Sequence, residues 1–336
     1  MSKVRWGVLS TAKIATVKVI PGMQKSAYCD MVGIASRSLE NAQAAADKLG
    51  MPKAYGSYEA LLEDPEIDAV YIPLPNHMHV PWAIQAIQAG KHVLCEKPIG
   101  LNVEEARHLQ EIAESHPNLK VMEAFMYRHH PQWLKAREIV REGGIGKPVT
   151  IQSFFSYFND NPHDIRNNNE WGGGGIMDIG CYPISVSRFI LEGEPEKVIA
   201  SVTRDEEFKT DVVASCMIDF GGLLTTFTCG TKLAPYQSVH IHGTEGRVEL
   251  QIPFNAPPDR PCILWHQQGD EITEIETPTA DQYTCQGDLM SQAILDDTDV
   301  PTPVSDAVAN MEVIEAIFRS EKSGRWEAVS HVLANG

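Results

Sequence analysis

Basic residues are scarce in this chain, and long apolar runs are missing. Lysine and arginine number 28 against 45 aspartates and glutamates, which gives a formal net charge of −17. Nucleic acids and anionic membranes bind proteins through basic patches, so this balance argues against both partners. No apolar run approaches the roughly 18 residues of a membrane-spanning helix. The opening segment Met1–Trp6 has neither an apolar signal segment nor a twin arginine, and we therefore expect a cytoplasmic protein.

Patterns that would indicate a disulfide framework or a metal site are also missing. The cysteines number seven, and none of them forms a C-x-x-C pair, which favours reduced thiols in the cytoplasm. Three histidine pairs occur, but none has a carboxylate or cysteine at a spacing typical of zinc ligands. We therefore expect no metal. The pairs are His77 with His79, His129 with His130, and His240 with His242.

Two regions of the sequence differ in the order of their predicted elements. Up to about Ala124, short apolar strands alternate with helical patterns, which is typical of βαβ units around a parallel sheet. From Pro148 to Glu276 most segments have strand character and are joined by hairpin signals such as Gly221-Gly222. We predict an α/β fold, with a doubly wound Rossmann domain at residues 1–124. An α+β domain with an open, mainly antiparallel sheet is predicted at residues 125–336.

The first predicted strand–helix turn, Trp6–Ala15, resembles a dinucleotide fingerprint. The glycines of G-x-G-x-x-G are replaced by Ser10, Ala12 and Ala15, which are small enough for a pyrophosphate to approach the backbone. The helix that follows offers N–H donors at its start. The alternative is an ordinary strand–helix turn, but the position at the start of a βαβ unit favours a nucleotide site. The residues assigned to it are Ser10, Thr11, Ala12, Lys13 and Ile14.

The end of the second predicted strand carries an arginine between two serines, Ser36-Arg37-Ser38. A site for NAD has an acidic residue here, which binds the ribose 2′-hydroxyl. A guanidinium and two hydroxyls suit a 2′-phosphate instead. The alternative role for Ser38 is to cap the helix that follows, and the two roles are compatible. The sequence therefore predicts NADP as the cofactor.

Two further strand ends carry polar residues at the edge where open α/β sheets bind ligands. Pro73–His77 follows one strand, and Glu96-Lys97-Pro98 follows the next, where the proline fits a tight turn that can be cis. An isolated triplet of this kind is more often a surface turn with an ion pair. We assign both segments to the cofactor site, with the residues Leu74, Pro75, Asn76, His79, Glu96 and Lys97.

Four consecutive glycines, Gly172–Gly175, precede a predicted helix at about Ile176–Leu191. Such a run lets the backbone come close to another group. Asp178 and Tyr182 are four residues apart and so share one helix face. Pro183 fits best in a first helical turn, so regular helix is expected to begin some residues after the start of this range. In the alternative interpretation Asp178 is a cap and Tyr182 is packing.

Taken in order, these motifs resemble those of the Gfo/Idh/MocA family of oxidoreductases. The branch most similar in pattern contains NADP-dependent D-xylose dehydrogenase and dimeric dihydrodiol dehydrogenase. In the inositol branch a histidine occupies the position of Tyr182, so inositol is not expected as the substrate. The shared segments, which span almost the whole chain, are R-W-G-V-x-S-T-A-x-I-A, A-S-R-S, P-N-H-x-H, E-K-P, M-E-A-F-M-Y-R-H-H-P-Q, G-G-G-x-x-M-D-I-G-C-Y-P-I and V-S-D-A-V-A-N-M-E-V-I-E-A-I-F-R-S.

The resemblance implies hydride transfer between NADP(H) and a hydroxyl or carbonyl carbon of a sugar or sugar-like cyclic alcohol, with aldose 1-dehydrogenation favoured. It implies Lys97, Asp178 and Tyr182 as catalytic residues. Tyr182 is expected as the acid/base and Lys97 as the cation that stabilises its ionised form, or these two roles are exchanged. Asp178 is expected to orient lysine or substrate. Arg166 and Trp171 are candidates to line the substrate cleft, with packing an equal alternative.

Other functions stay open. A trans-dihydrodiol dehydrogenase or carbonyl reductase would use the same site. An NAD-dependent glycosidase is disfavoured by Arg37, and a non-catalytic nucleotide sensor is disfavoured by the three catalytic residues together. We expect NADP binding in the first domain, and substrate binding and oligomerisation in the second. Because the few helices after Pro148 leave one sheet face uncovered, a homodimer or a dimer of dimers is expected.

Overall fold

The structure is a computed structural model that describes residues 2–330. The chain forms two compact units, each built from two segments. Among the described residues, the first unit contains those up to Met126 together with Asp281–Val308. The second contains Tyr127–Ala280 and the described residues from Ala309 onward. The segment Asp281–Val308, which the sequence analysis grouped with the second domain, thus belongs to the first unit.

A parallel sheet forms the centre of the first unit. Its strands are β1 (Val4–Leu9), β2 (Cys29–Ala35), β3 (Lys53–Tyr55), β4 (Ala69–Ile72), β5 (His92–Cys95) and β6 (Val121–Glu123). They lie in the order β3-β2-β1-β4-β5-β6, and every neighbouring pair is parallel. This order is that of a doubly wound dinucleotide-binding sheet, so the Rossmann prediction is confirmed.

Helices accompany the strands of this sheet. A π-helical segment, Ala15–Val19, runs into a short α-helix, and further α-helices follow along the chain. Ser38 caps one of them through a hydrogen bond from Asn41 N at 3.3 Å, and Gly50 ends it at φ 67°. The α-helices of this unit are Ile20–Met23, Leu39–Leu49, Tyr58–Leu62, His79–Gln88, Val103–Glu114 and Gln282–Leu295.

The helix Gln282–Leu295 joins the first unit because its inner face fits the core there. Ser291 is fully buried and accepts a hydrogen bond of 3.0 Å from the indole Nε1 of Trp6, in β1. The thiol of Cys29 lies 3.2 Å from the same hydroxyl. Met290 packs into the core cluster around Trp6 and Met31. A buried indole N–H needs an acceptor, and this helix supplies it.

A nine-stranded sheet forms the second unit. Its strands are β7 (Pro148–Phe158), β8 (Lys197–Arg204), β9 (Asp211–Asp219), β10 (Leu224–Gly230), β11 (Lys232–Gly243), β12 (Gly246–Leu250), β13 (Cys262–Gln268), β14 (Glu271–Thr277) and β15 (Glu327–Ala328). They lie in the order β14-β13-β12-β11-β7-β10-β9-β8-β15. The pair β7–β10 is parallel, and the other neighbouring pairs are antiparallel. The prediction of a mainly antiparallel sheet is confirmed.

The predicted helix at Ile176–Leu191 begins irregularly. Ile176–Gly180 is π-helical, and α-helix starts only at Cys181, two residues before Pro183. The expectation of a late start to regular helix is therefore confirmed. Other helices of this unit are Pro131–Arg141 and most of Val304–Ser323.

The two faces of the second sheet differ in exposure. Side chains alternate along each strand, so Ile218 is buried while its neighbour Met217 is 38% exposed. The face that carries Met217 also presents Thr226, Thr228 and Tyr236, the last of them 58% exposed. This face mixes hydroxyls with apolar groups, and it is the surface for which oligomerisation is predicted.

Candidate functional site

Three loops leave the first sheet at one edge. The strands β1, β4 and β5 are neighbours and parallel, so their carboxyl ends lie along the same edge. The segments that follow them begin at Ser10, Pro73 and Glu96. Because β2 is also parallel to β1 and ends opposite Leu9, the segment Ser36–Ser38 that follows β2 lies at the same edge.

Ser10 adopts a backbone conformation that favours glycine. Its φ is 149°, and its hydroxyl accepts a hydrogen bond from Ala12 N at 3.0 Å. The first glycine of a dinucleotide fingerprint makes the same tight turn, so Ser10 fills that role in this chain. Thr11 and Ala12 are half-buried, and Lys13 is exposed.

The helix that follows Ser10 begins with backbone N–H groups that have no acceptor within the helix, because they come before its first hydrogen bond. That bond runs from Thr16 N to Ala12 O at 3.0 Å. The amides of Lys13 and Ile14 belong to the first turn, where N–H groups point away from the helix. Ile14 also packs its side chain against the core. Donors of this kind suit a pyrophosphate, so the residues present fit a dinucleotide.

Arg37, at the end of β2, is exposed and pairs with no carboxylate among residues 2–330. Ser36 Oγ accepts a hydrogen bond from Ser38 N at 3.4 Å, and Ser38 Oγ caps the next helix. The alternative role of Ser38 is thus confirmed. Each hydroxyl that accepts such a bond retains its proton as a donor. The guanidinium and these two hydroxyls are a set that a phosphate would bind.

His79 ties together the loops that follow β4 and β5. Its Nδ1 lies 2.8 Å from Pro98 O and its Nε2 lies 2.7 Å from Leu74 O. The ring is 1% exposed, and burial lowers its pKa to about 4. Leu74 is buried, whereas Pro75 and Asn76 are half-buried. In this geometry His79 positions the two loops, and its predicted contact with the cofactor stays a prediction.

A buried tyrosine, Tyr71, holds the triplet Glu96-Lys97-Pro98 that follows β5. Tyr71 OH donates to Glu96 Oε1 at 2.6 Å, and Lys97 N donates to Glu96 Oε2 at 3.3 Å. Burial and the Glu96 carboxylate raise the pKa of Tyr71 well above its ordinary value. The Lys97–Pro98 peptide bond is cis, in agreement with the tight turn expected there. Sequence analysis missed Tyr71 because nothing distinguishes it from the apolar strand around it.

Asp178 of the second unit is held by a phenol and a guanidinium. Its Oδ2 accepts hydrogen bonds from Tyr157 OH at 2.6 Å and from Arg166 Nε at 3.1 Å. Arg166 Nη1 also lies 3.3 Å from Asp164 Oδ1. The Asp178 carboxylate raises the pKa of Arg166, while burial and that carboxylate raise the pKa of Tyr157. The structure thus brings together the predicted residues Asp178 and Arg166 and adds Tyr157.

Tyr182 lies within an aromatic cluster. It is 6% exposed, and its ring centroid is 5.2 Å from that of Phe254, 5.7 Å from Phe155 and 5.8 Å from Tyr127. The Tyr182 ring thus packs against three other aromatic rings. Trp171 differs, since its side chain is 41% exposed. Lys97 belongs to the first unit, and Asp178 and Tyr182 belong to the second.

Within residues 2–330, no three histidine, cysteine, aspartate or glutamate side chains form a group that could hold a metal ion. The seven cysteines are free thiols, and six of them are buried. In the same part of the chain, no helix is both long and apolar enough to cross a membrane.

Two family models match the chain. The Gfo/Idh/MocA oxidoreductase family with an NAD-binding Rossmann fold matches residues 4–125, and the Gfo/Idh/MocA C-terminal domain matches residues 133–249. The Rhizobium meliloti protein named uncharacterized oxidoreductase ORF334 is 42% identical, over 98% of this chain and 100% of its own. D-xylose 1-dehydrogenase (NADP(+)) 2 of Haloferax volcanii is 36% identical, over 95% of this chain and 98% of its own.

A solved structure has the same fold. It is that of KijD10, a 3-ketoreductase from Actinomadura kijaniata, in complex with NADP and TDP-benzene. The TM-score is 0.89 at 28% sequence identity, and the match covers 95% of this chain and 98% of KijD10. Together with the family models, these similarities confirm the predicted resemblance. The chain belongs to the Gfo/Idh/MocA family of sugar-related oxidoreductases, whose first domain is an NAD(P)-binding Rossmann fold.

Proposed function

We propose that this protein is an NADP-dependent dehydrogenase that oxidises a free, uncharged sugar, with the hydroxyl at C1 of an aldose as the favoured site of reaction. The observation that carries the proposal is the Asp178 carboxylate, held by Tyr157 and Arg166 in the second unit of a Gfo/Idh/MocA oxidoreductase. A fixed carboxylate of this kind is suited to accept hydrogen bonds from sugar hydroxyls. The similarity to a D-xylose 1-dehydrogenase supports the same substrate class.

The cofactor we propose is NADP. Arg37 and the hydroxyls of Ser36 and Ser38 would bind its 2′-phosphate, and the turn at Ser10 with the amides that follow would bind its pyrophosphate. The loops held by His79, with Glu96 and Lys97, would bind its nicotinamide half. When bound, this group supplies the acceptor for a hydride. Both NADP-related comparisons are consistent with this assignment.

The protein's own task is to handle the hydroxyl proton of the substrate. A tyrosine has an ordinary pKa of about 10, which is too high for a base at neutral pH. We assign the acid/base role to Tyr182 and assign to Lys97 the positive charge that lowers the cost of its ionisation. The aromatic cluster around Tyr182 packs against its ring. Asp178 would orient the reacting sugar through its hydroxyls.

The charge around Arg166 favours an uncharged substrate. The segment 159–171 contains Asp160, Asp164 and Glu170, and Arg166 is its single lysine or arginine. This guanidinium already lies within hydrogen-bond or ion-pair distance of Asp164 and Asp178. A diphosphate group would need cations whose charge is not already balanced. A free aldose needs only hydroxyl partners and an apolar surface for its C–H groups, which the half-exposed Trp171 would supply.

We propose that the enzyme works in the cytoplasm as a homodimer or a dimer of dimers, joined through the sheet face that carries Met217, Thr226 and Tyr236. Seven free thiols suit a reducing compartment. A sheet face with exposed apolar groups is a common subunit interface.

The test is a substrate panel with purified protein, in which formation of NADPH is followed by absorbance. Free aldoses such as D-xylose are expected to reduce NADP faster than their phosphorylated or nucleotide-linked forms. Cyclic dihydrodiols are included because a trans-dihydrodiol dehydrogenase would oxidise them instead. If no sugar in the panel reduces NADP and none of the corresponding keto compounds is reduced by NADPH, the proposed function is wrong.

A further inference from the structure

We propose that Asp211 is a positioning residue, whose buried carboxylate fixes the glycine run and thereby sets the Asp178–Arg166 pair. The relevance of this role to catalysis rests on the proposed function. The role itself is argued from contacts within the second unit alone.

Asp211 contacts the first residue of the helical segment that carries Asp178 and Tyr182. It is the first residue of β9, and it is 1% exposed. Its Oδ2 accepts a hydrogen bond of 2.6 Å from Ile176 N. Ile176 is the first residue of the π-helical segment, where amides have no intrahelical acceptor. A buried carboxylate is a strong acceptor for such an amide, so Asp211 fixes where the segment begins.

The last two glycines of the run, Gly174 and Gly175, lie against this carboxylate. A Cβ atom on Gly174 would overlap Asp211 Oδ1, and a Cβ atom on Gly175 would lie 3.2 Å from Asp211 Oδ2. Gly174 also has a φ of 116°, which L side chains rarely adopt. The sequence analysis expected the run to approach some other group. For Gly174 and Gly175 that group is the Asp211 carboxylate, and for Gly173 it is the backbone carbonyls of Arg166 and Asn168.

Gly174 connects the two residues whose side chains form the ion pair. Its N–H donates to Arg166 O at 2.9 Å, and its carbonyl accepts from Asp178 N at 3.0 Å. Arg166 Nε in turn donates to Asp178 Oδ2 at 3.1 Å. Gly174 is thus hydrogen-bonded to the backbone of both Arg166 and Asp178. The Asp211 side chain packs directly against Gly174. A shift of Gly174 would move Arg166 and Asp178 together.

Asp211 touches neither of these side chains, so its effect on catalysis is indirect. Misplacement of a substrate-orienting group by about 1 Å is enough to cost on the order of 10²-fold in turnover. Loss of the Asp211 carboxylate is therefore expected to lower kcat while the Michaelis constant for NADP stays nearly constant. A merely structural role would instead lower stability and leave the kcat of the folded fraction unchanged.

The experiment compares three variants with one matched control. Asp211→Ala removes the carboxylate. Asp211→Asn keeps a side chain of the same shape with one acceptor oxygen, and Gly174→Ala places a methyl group against Asp211 Oδ1. The control is Gly193→Ala, because a Cβ there would meet only Leu191 O at 3.8 Å. Steady-state kinetics with NADP and the best aldose give kcat and both Michaelis constants. Hydrogen exchange, followed by mass spectrometry, reports amide protection across residues 174–182 without any need for activity.

The expected result is a loss of kcat of about 10-fold to 100-fold in Asp211→Ala and Gly174→Ala, with faster exchange across residues 174–182. Asp211→Asn should recover most of the activity, and Gly193→Ala should match the parent in both measurements. If Gly174→Ala does not fold, the comparison of Asp211→Ala with Asp211→Asn decides the question. Unchanged exchange and unchanged kcat in folded Asp211→Ala would overturn the proposal. Exchange that accelerates equally over the whole second unit would overturn it as well.

The exchange measurement separates this inference from the proposed function. If the parent protein oxidises no sugar, the function proposed above is wrong. The exchange pattern of Asp211→Ala still decides whether Asp211 fixes the glycine run.

Discussion

Asp211→Asn is expected to remove one component of the pH dependence of folding stability, a component that falls between about pH 4 and pH 7. Burial raises the pKa of Asp211 to about 6, from an ordinary value of 3.8. The folded protein therefore binds a proton at this site that the unfolded chain has already lost in the same range. The contribution of this group to stability is complete below about pH 4 and is lost as the pH rises through about 6.

Burial of Asp211, more than the charged groups that face it, determines the size of this effect. Arg204 lowers the pKa of Asp211, and Glu321 raises it, but these two residues pair with each other at 2.6 Å. Burial raises the pKa values of the Cys216 and Cys229 thiols, and the Asp211 charge raises them further. Burial thus dominates, and the difference between a pKa of 3.8 and one of about 6 corresponds to about 3 kcal/mol.

The assay is urea unfolding of the parent and of Asp211→Asn across this pH range. Carboxylates elsewhere contribute equally to both proteins, so they cancel when the two free energies of unfolding are subtracted. The free energy of the parent, relative to that of the variant, should fall by up to about 3 kcal/mol between about pH 4 and pH 7. Parallel curves would refute the reasoning, because they would mean that the carboxyl titrates equally in both states.

Three further changes test the cofactor, the chemistry and the assembly. Arg37→Ala should raise the Michaelis constant for NADP by about one to two orders of magnitude, because one charge-assisted contact contributes about 1.5–3 kcal/mol; equal use of NAD and NADP by the parent enzyme would contradict this. Tyr182→Phe should lower turnover by about 10²–10⁴-fold with little change in nucleotide binding. Lys97→Ala should cost at least as much, and the double variant should cost hardly more than the worse single change; near-parental turnover in Tyr182→Phe would assign the proton transfer to Lys97 instead. Thr226→Arg should turn dimers into monomers in light scattering, because it adds a charge to the mixed face of the second sheet; a parent protein that is already monomeric would exclude that interface.

Local signals in the sequence were enough to predict much of the first unit. Ser38 caps the helix Leu39–Leu49, as its alternative role predicted, and Gly50 ends that helix. The parallel direction of the strands could be predicted from the alternation of strands and helices along the chain. Such features depend on residues close together in the chain, which is why one sequence is sufficient to predict them.

Features that depend on distant residues could not be predicted in this way. The helix Gln282–Leu295 packs near β1 because Trp6 needs a buried acceptor, and no local pattern encodes that pairing. Asp211 is equally hidden, since an aspartate at the start of a strand is an ordinary turn residue in sequence. Tyr157 lies at the end of a strand rich in aromatics, and only its contact with Asp178 distinguishes it.

The family resemblance supplied what spacing alone could not, namely the roles of Lys97, Asp178 and Tyr182. The structure adds that Asp178 is held by Tyr157 and Arg166 and that Tyr182 lies in an aromatic cluster. It also shows that the last two glycines of the run, Gly174 and Gly175, lie against the Asp211 carboxylate. The roles of the three catalytic residues stay predictions that the kinetic variants test.

Isotope transfer tests the central claim, direct hydride transfer from a free sugar to NADP, most directly. The purified protein is incubated with NADP and an aldose that carries deuterium at C1, and the reduced cofactor is analysed by mass spectrometry. The account predicts one deuterium in each molecule of reduced cofactor, together with oxidation of the aldose at C1. Reduced cofactor without deuterium, or no reduction with any aldose, would contradict it.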